Sequence, residues 1–246
     1  MSAHPATRLP ASGVAASQAG TAGGDATAQL PSVMLPDPFP LHRGGMLHQA
    51  RIAYESWGEL NAARDNAILL FTGLSPSAHA AASERDPSPG WWQRMIGPGL
   101  AIDTSRYFVL CVNSLGSCFG STGPASVNPA TGQRYRLDFP EVAVEDIARG
   151  GHEAARALGI ERLAAVMGAS LGGSVVTAFA AQFPGAARRL VSISGSPAAS
   201  PFGTPATLSI SSTPVLANPF CDSTSVPIVR SRVRVSFRAD ALAFGS

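Results

Sequence analysis

The stretch Val166-Met167-Gly168-Ala169-Ser170-Leu171-Gly172-Gly173 decides how the rest of the chain is interpreted. An apolar run ends at a glycine-flanked serine and continues as a helix-forming run, which is the G-x-S-x-G pattern of a nucleophile elbow. In such a turn the serine stands exposed at the end of a strand, beside the amino terminus of a helix. The bare pattern is weak, but its position between a predicted strand and a predicted helix favours a nucleophilic Ser170 over an idle serine in a glycine-rich turn.

Short apolar runs and helical patterns alternate on both sides of this turn. Strands are predicted at 51–57, 66–72, 107–113, 163–167 and 189–194, and helices at 140–158 and 171–183. The adjacent glycines Gly150 and Gly151 weaken the first helix prediction. Continuous apolar strands are typical of a parallel sheet covered on both faces. The alternation therefore predicts an α/β fold with a mostly parallel, doubly wound sheet.

Composition divides the chain into three zones. Residues 1–31 are rich in Ala, Ser, Gly and Thr and are predicted to form a disordered leader without the features of a secretory signal. Residues 32–196 carry the alternating elements. Residues 197–246 are rich in Ser, Pro and Thr, lose the helical period, and are predicted to form a divergent, disordered tail.

Charge and cysteine content exclude several classes of partner. All 18 basic residues are arginine, the net charge is only +2, and the arginines form no stripe that would bind nucleic acid. No apolar run reaches the roughly 20 residues that a membrane span needs. The three cysteines have no C-x-x-C spacing, which argues against a zinc site and is typical of a protein in the reducing cytoplasm.

Two backbone N–H groups are predicted to form an oxyanion hole for Ser170. Leu171 follows the serine at the helix amino terminus, and Leu74 follows an earlier strand in the loop Gly73-Leu-Ser-Pro76. The serine also needs a base, which in this architecture comes after it in the chain. His79 is close to Leu74 in sequence, but a lone loop histidine is more often structural, and His152 on a helix is interpreted as structural too.

The motifs before the elbow are similar to those of the homoserine and serine O-acyltransferases, a branch of the α/β-hydrolase fold. The resemblance covers residues 38–196, and its longest parts are these: Ala53-Tyr-Glu-Ser-Trp-Gly58, Thr72-Gly-Leu-Ser-Pro76, Cys111-Val-Asn-Ser-Leu-Gly-Ser-Cys118 and Gly120-Ser-Thr-Gly-Pro-Ala-Ser-Val-Asn-Pro-Ala-Thr-Gly-Gln133. The forms Gly-Leu-Ser-Pro and Leu-Gly-Ser-Cys resemble the serine O-succinyltransferases most.

The resemblance implies a function and a set of site residues. Ser170 would take an acyl group from acyl-CoA and pass it to the hydroxyl of serine or homoserine, as in cysteine or methionine biosynthesis. Gly73, Leu74, Ser75 and Pro76 match the family segment that binds the amino-acid substrate. No metal and no bound cofactor are implied, acyl-CoA is a cosubstrate, and the family is often dimeric.

The sequence departs from the family after residue 196. Family members carry a lid and the aspartate and histidine of the triad there, whereas the last histidine of this sequence is His152. A serine without its base is a poor nucleophile, which predicts an inactive fragment produced by a frameshift or an early stop, with natural divergence of the tail as the alternative. Alternative functions are a homoserine O-acetyltransferase, an esterase of the same fold, and a non-catalytic module that binds CoA or an amino acid.

Overall fold

A computed structural model describes residues 30–196 of the protein. The tail predicted at 197–246 lies outside these residues, as does the leader apart from its last two residues. The described elements are, in chain order, β1 (Ser32–Met34), β2 (Phe39–Pro40), β3 (Met46–Leu47), β4 (Arg51–Trp57), β5 (Ala67–Phe71), β6 (Ile96–Gly97), β7 (Ile102–Asp103), β8 (Phe108–Val112), a 3-10 turn (Arg136–Asp138), α1 (Val144–Ala157), β9 (Leu163–Ala169), α2 (Leu171–Gln182) and β10 (Leu190–Ile193).

The central sheet has the strand order β1-β4-β8-β5-β9-β10. Strands β8, β5, β9 and β10 are parallel, while β4 pairs with β8 and β1 pairs with β4 in antiparallel fashion. Leu70 in the middle of β5 lies opposite Cys111 of β8 and Met167 of β9. The carboxyl ends of these three strands therefore meet at one edge of the sheet, and the α/β fold with a mostly parallel sheet is confirmed.

The two faces of the sheet are covered differently within residues 30–196. Alternate β5 residues Leu69 and Phe71 pack in one core cluster with residues of α1 and α2. Ile68 and Leu70 face a second cluster, which is formed with the irregular segment between β5 and β8. Both described helices thus lie on one face, and a loop-rich segment covers the other where the doubly wound pattern predicts helices.

Helix α1 begins four residues after the predicted position at Pro140. The carboxylate of Asp146 accepts the backbone N–H of Ala143 at 2.9 Å, which satisfies an amide at the helix start and fixes the boundary. Gly150 and Gly151 do not interrupt the helix, because these two residues lie where α1 packs on the sheet. A Cβ on Gly151 would lie 2.4 Å from Cε1 of Phe71, so only glycine allows α1 to approach β5 this closely.

Candidate functional site

Ser170 occupies the turn between β9 and α2 in a strained backbone conformation. Its φ and ψ are 56° and −119°, a region that costs a non-glycine residue on the order of 1–3 kcal/mol. The Ser170 N–H donates to the carbonyl of Ile193 in β10 at 2.9 Å, and its own carbonyl accepts the N–H of Ser174 in α2 at 3.2 Å. The neighbouring strand and the helix together hold the serine in the conformation that a nucleophile elbow requires.

Gly168 and Gly172 allow the strand and the helix to meet at this turn. A Cβ on Gly168 would lie 2.3 Å from the carbonyl oxygen of Gly172, and a Cβ on Gly172 would lie 2.4 Å from the carbonyl oxygen of Phe71. Both obstructing atoms belong to the backbone and cannot rotate away. The amino terminus of α2 therefore rests directly on the carboxyl end of β5.

The two predicted oxyanion donors lie at this same edge. Leu171 is the first residue of α2, where backbone N–H groups have no acceptor within the helix. Gly73 and Leu74 follow β5, and a Cβ on Gly73 would lie 3.7 Å from the carbonyl oxygen of Ala169. The substrate-binding loop predicted at 73–76 is thus adjacent to the elbow, and the Leu74 side chain is 62% exposed there. The roles of these residues stay predictions.

Residues 72–92, which we call the 72–92 segment, are held by buried polar contacts from other strands. The Asn113 side chain, directly after β8, accepts the Ala78 N–H at 2.6 Å and donates to the carbonyl of Phe119 at 2.7 Å. The indole N–H of Trp57 in β4 donates to the carbonyl of Ala82 at 3.0 Å. Sequence reasoning missed Asn113, although a polar residue that ends a buried apolar run is a signal for such a role.

His79 lies in the 72–92 segment and is not a base for Ser170. Its Nδ1 is 3.0 Å from Oε2 of Glu55, and its Nε2 is 2.9 Å from the carbonyl oxygen of Ser88. Both ring nitrogens are therefore engaged by oxygen atoms of other residues, which leaves neither to accept the proton of a serine. Glu55, 7% exposed in β4, is a second residue of this region that the sequence reasoning did not identify.

His152 is structural, as the sequence predicts. Its ring stacks on Phe183 with centroids 3.9 Å apart and meets Phe179 edge-on at 5.7 Å, between α1 and the end of α2. Burial is the main cause that lowers the pKa of His152; the Glu153 carboxylate opposes this effect. The other described histidines, His42 and His48, lie near carboxylates at the surface. Within residues 30–196, no side chain lies within hydrogen-bonding distance of the Ser170 hydroxyl.

The described part of the chain has neither a metal-binding cluster nor a membrane-spanning helix. Residues 30–196 contain no group of three or more His, Cys, Asp or Glu side chains arranged to hold a metal ion. No helix among them is long and apolar enough to cross a membrane. A cavity of about 690 Å³ is lined by residues that include Glu55, Ser83, Glu84 and Arg85, and by none of the predicted catalytic residues.

The chain is similar to known proteins over most of its described length. The family model of the alpha/beta hydrolase fold matches residues 66–210. A serine O-succinyltransferase of Stenotrophomonas maltophilia (strain K279a) is 64% identical over 168 residues, which are 68% of this chain and 45% of that protein. The chain thus spans less than half the length of this curated relative.

Two solved structures are also similar to this chain. The crystal structure of esterase E22 has a TM-score of 0.69 and 34% sequence identity, and the match covers 76% of this chain and 53% of the esterase. The homoserine O-acetyltransferase of Bacillus anthracis has a TM-score of 0.60 and 37% identity, over 65% of this chain and 44% of that protein. The relatives therefore comprise acyltransferases and an esterase on one fold.

Proposed function

Because the chain belongs to the alpha/beta hydrolase fold family, we propose that Ser170 is the nucleophile of an O-acyltransferase of the serine O-succinyltransferase type. The enzyme moves a succinyl group from a CoA thioester to the hydroxyl of serine. The observation that carries the proposal is the strained Ser170 at the β9–α2 turn, with φ 56° and no room for a side chain at Gly168 or Gly172. The 64% identity to a serine O-succinyltransferase supports this choice of reaction.

The reaction proceeds by two displacements at one serine. The Ser170 Oγ attacks the thioester carbonyl carbon while its proton passes to a base, and the C–S bond breaks as CoA leaves as a thiol. The serine substrate's hydroxyl then attacks the acyl carbon, loses its proton, and releases Ser170. In each step the carbonyl oxygen becomes an oxyanion, which the N–H groups of Leu171 and Leu74 stabilise.

The base is the part of this mechanism that the sequence does not supply. His79 is engaged on both nitrogens, His152 is packed between phenylalanines, and no histidine follows His152 in the sequence. Loss of a triad histidine lowers the rate of a serine enzyme on the order of 10⁴–10⁶-fold. We therefore expect this chain to be acylated slowly by itself, and faster when free imidazole is added as a base.

Acylation of Ser170 is the test. The purified protein is incubated with succinyl-CoA, with and without imidazole, and its intact mass and peptide map are measured. We expect one succinyl group on Ser170, formed faster with imidazole, and the same adduct in the matched control Ser174→Ala, one turn later on α2. An adduct that forms equally on Ser170→Ala would overturn the proposal. Acetyl-CoA in place of succinyl-CoA tests the acetyltransferase alternative.

The esterase alternative is favoured by the 34% identity and TM-score of 0.69 to esterase E22. It shares the acyl-enzyme but uses water as the acceptor. The acylated protein, freed of excess thioester, is therefore divided between buffer, L-serine and L-homoserine. Acyl transfer to an amino acid supports the transferase, whereas loss of the acyl group at one rate in all three solutions supports the esterase.

A further inference from the structure

Both nitrogens of the His79 ring face atoms that accept hydrogen bonds. The carbonyl oxygen of Ser88, 2.9 Å from Nε2, can only accept a hydrogen bond. The Ser88 hydroxyl, 3.3 Å from Nε2, donates its own hydrogen to Oδ1 of Asp86 at 2.6 Å and therefore also faces the ring as an acceptor, so Nε2 carries a hydrogen. The Glu55 carboxylate, 3.0 Å from Nδ1, also accepts when it is ionised. The geometry therefore requires one extra proton on the pair, either as an imidazolium beside a carboxylate or as a neutral ring beside a carboxylic acid.

This bridge joins two parts of the fold that are distant in sequence. Glu55 belongs to β4 in the sheet, whereas His79 and Ser88 belong to the 72–92 segment on its loop-covered face. The side chains of His79 and Glu55 are only 14% and 8% exposed, so water replaces the contact poorly. The beginning of the segment lies beside the elbow, and its Leu74 is five residues before His79.

We propose that Glu55 and His79 are positioning residues that hold the 72–92 segment, and with it the Leu74 N–H, in place only while their shared proton is bound. The part that concerns Leu74 rests on the proposed function. When the proton is lost, the ring turns a lone pair toward either the carboxylate or the Ser88 carbonyl. Two acceptors then face each other in a half-buried site, and the segment loses its attachment to β4 at this point.

The surrounding charges set the direction of the pH dependence. Burial opposes the charged form of His79, but the hydrogen bonds to Glu55 and Ser88 and the charges of Glu55 and Asp86 outweigh it and raise the pKa above 6.5. Asp86 lies 3.7 Å from Nε2. Cys111, opposite Glu55 in the sheet, stays a neutral thiol because burial and then the Glu55 charge raise its pKa.

The stabilising contribution of the bridge is therefore complete below the unfolded-state pKa near 6.5 and is lost as the pH rises through the higher folded-state value. The 690 Å³ cavity reaches Glu55 from outside and is also lined by Glu84 and Arg85. It gives the pair a route for proton exchange with solvent, so the bridge can respond to pH without unfolding of the domain.

The tryptophans make the segment directly observable. The chain has three, and all three contact the 72–92 segment or belong to it. The Trp91 indole donates to the Ser77 carbonyl at 2.9 Å, the Trp57 indole donates to the Ala82 carbonyl at 3.0 Å, and the Trp92 N–H donates to the Ala80 carbonyl at 2.7 Å. Intrinsic tryptophan emission therefore reports this segment.

The experiment is a titration of tryptophan emission from about pH 5.5 to about pH 9, below the ionisation of tyrosine. We expect one transition above pH 6.5 in the wild type. Glu55→Gln should keep the low-pH emission and lose the transition, because the amide donates to a neutral His79 and no extra proton is needed. His79→Ala should show the high-pH emission throughout. His48→Gln, which removes an exposed His–Asp pair of similar length, should titrate like the wild type.

Two results would overturn the bridge: a wild-type emission that does not change, or a transition that persists in Glu55→Gln. The link to catalysis is tested by Ser170 succinylation at one pH near 6.5, where removal of an oxyanion donor costs about 10²–10³-fold. We expect His79→Ala to be at least about tenfold slower than the wild type, and Glu55→Gln to retain the wild-type rate. Equal rates in His79→Ala and the wild type would refute the link to Leu74. Absence of any adduct on the wild type would instead refute the proposed function, while the emission titration would still decide the bridge.

Discussion

The nucleophile elbow and the 72–92 segment meet at the same edge of the sheet but are held there by different kinds of contact. At the elbow, backbone touches backbone: a side chain on Gly172 would lie 2.4 Å from the Phe71 carbonyl. In the 72–92 segment, side chains of Asn113, Glu55 and Trp57 reach across from the sheet and hold a loop by hydrogen bonds.

The two regions are therefore vulnerable to different kinds of substitution. The elbow depends on the absence of side-chain atoms at a few contiguous positions, so it should fail when a Cβ is added. The 72–92 segment has one close backbone approach of its own, since a Cβ on Gly90 would lie 2.2 Å from backbone atoms of Ala80 and Ala81. Its attachment to the sheet, however, depends on polar atoms contributed from 24 to 35 residues away, and this attachment should fail when those atoms are removed.

Gly172→Ala should destabilise the protein more than any of the substitutions that follow. The new Cβ would lie 2.4 Å from the Phe71 carbonyl oxygen and 2.8 Å from that of Thr72, both in or next to the central strand β5. Overpacking against backbone that cannot rotate away costs about 3 kcal/mol or more of the free energy of unfolding. Urea denaturation followed by circular dichroism measures this loss.

Gly73→Ala is the matched control in the other region. A Cβ there meets nothing closer than Pro76 at 3.6 Å, which is ordinary van der Waals contact. We expect a change in the free energy of unfolding within about 0.5 kcal/mol. If Gly73→Ala is as destabilising as Gly172→Ala, the elbow is not specially constrained and the contrast between the regions is wrong.

The elbow could be predicted from sequence because its determinants are contiguous. The strand predicted at 163–167 and the helix at 171–183 are observed as Leu163–Ala169 and Leu171–Gln182. The apolar pattern and the glycines suffice to place these two elements, because Gly168 and Gly172 flank the turn that joins them. The start of α1 was wrong by four residues because a single hydrogen bond from Ala143 to Asp146 decides it, which periodicity does not detect.

The polar contacts of the 72–92 segment could not be predicted in the same way. Glu55 sits in an alternating strand, where its position gives no sign that its partner is His79, 24 residues later. Motif matching places Leu74 in a loop expected beside the elbow, and His79 is close to Leu74 in sequence. The protonation of a histidine, however, depends on atoms contributed by other segments. Only the three-dimensional contacts show that both His79 nitrogens are engaged.

Asn113→Ala tests the 72–92 segment by removal. It leaves the N–H of Ala78 and the carbonyl of Phe119 without their partner in a site where Asn113 is 1% exposed. Unsatisfied buried groups of this kind cost about 2–3 kcal/mol in total. Urea denaturation measures the loss, and hydrogen exchange should show faster exchange at Ala78 than at residues of α2.

Asn128→Ala is the control for this change, because its amide also accepts a backbone N–H, from Ala130 at 2.9 Å, but in an exposed loop. We expect a loss below about 1 kcal/mol there, since water replaces the contact. Equal losses for the two asparagines would mean that burial does not govern the strength of these contacts, and the account of the 72–92 segment would be wrong.

Ser170→Gly isolates the strain stored at the elbow. Glycine adopts the φ of 56° without steric cost, whereas alanine does not, and neither variant has a hydroxyl. We therefore expect Ser170→Gly to be about 1 kcal/mol more stable than Ser170→Ala in urea denaturation. At Ser174, which is helical, the same pair of substitutions should give the opposite order because glycine is the poorer helix former. If glycine is not favoured at position 170, the serine is unstrained and the elbow loses its main physical support.

The two half-buried histidines, His79 and His152, should make the free energy of unfolding depend on pH with opposite slopes. The pKa of His152 is lowered, so the unfolded state binds more protons below about pH 6.5 and stability falls as the pH decreases. His152→Phe removes the titration and keeps a ring against Phe183, so it should flatten the acidic side of the stability profile, measured by urea denaturation at several pH values. His42→Gln, at an exposed histidine, should leave that side unchanged.

The raised pKa of His79 acts on the alkaline side of the stability profile, where Glu55→Gln should flatten the profile instead. If one variant flattened both the acidic and the alkaline side of the stability profile, His152 between α1 and α2 and His79 in the 72–92 segment would titrate as one unit. The separation of the two regions would then not hold.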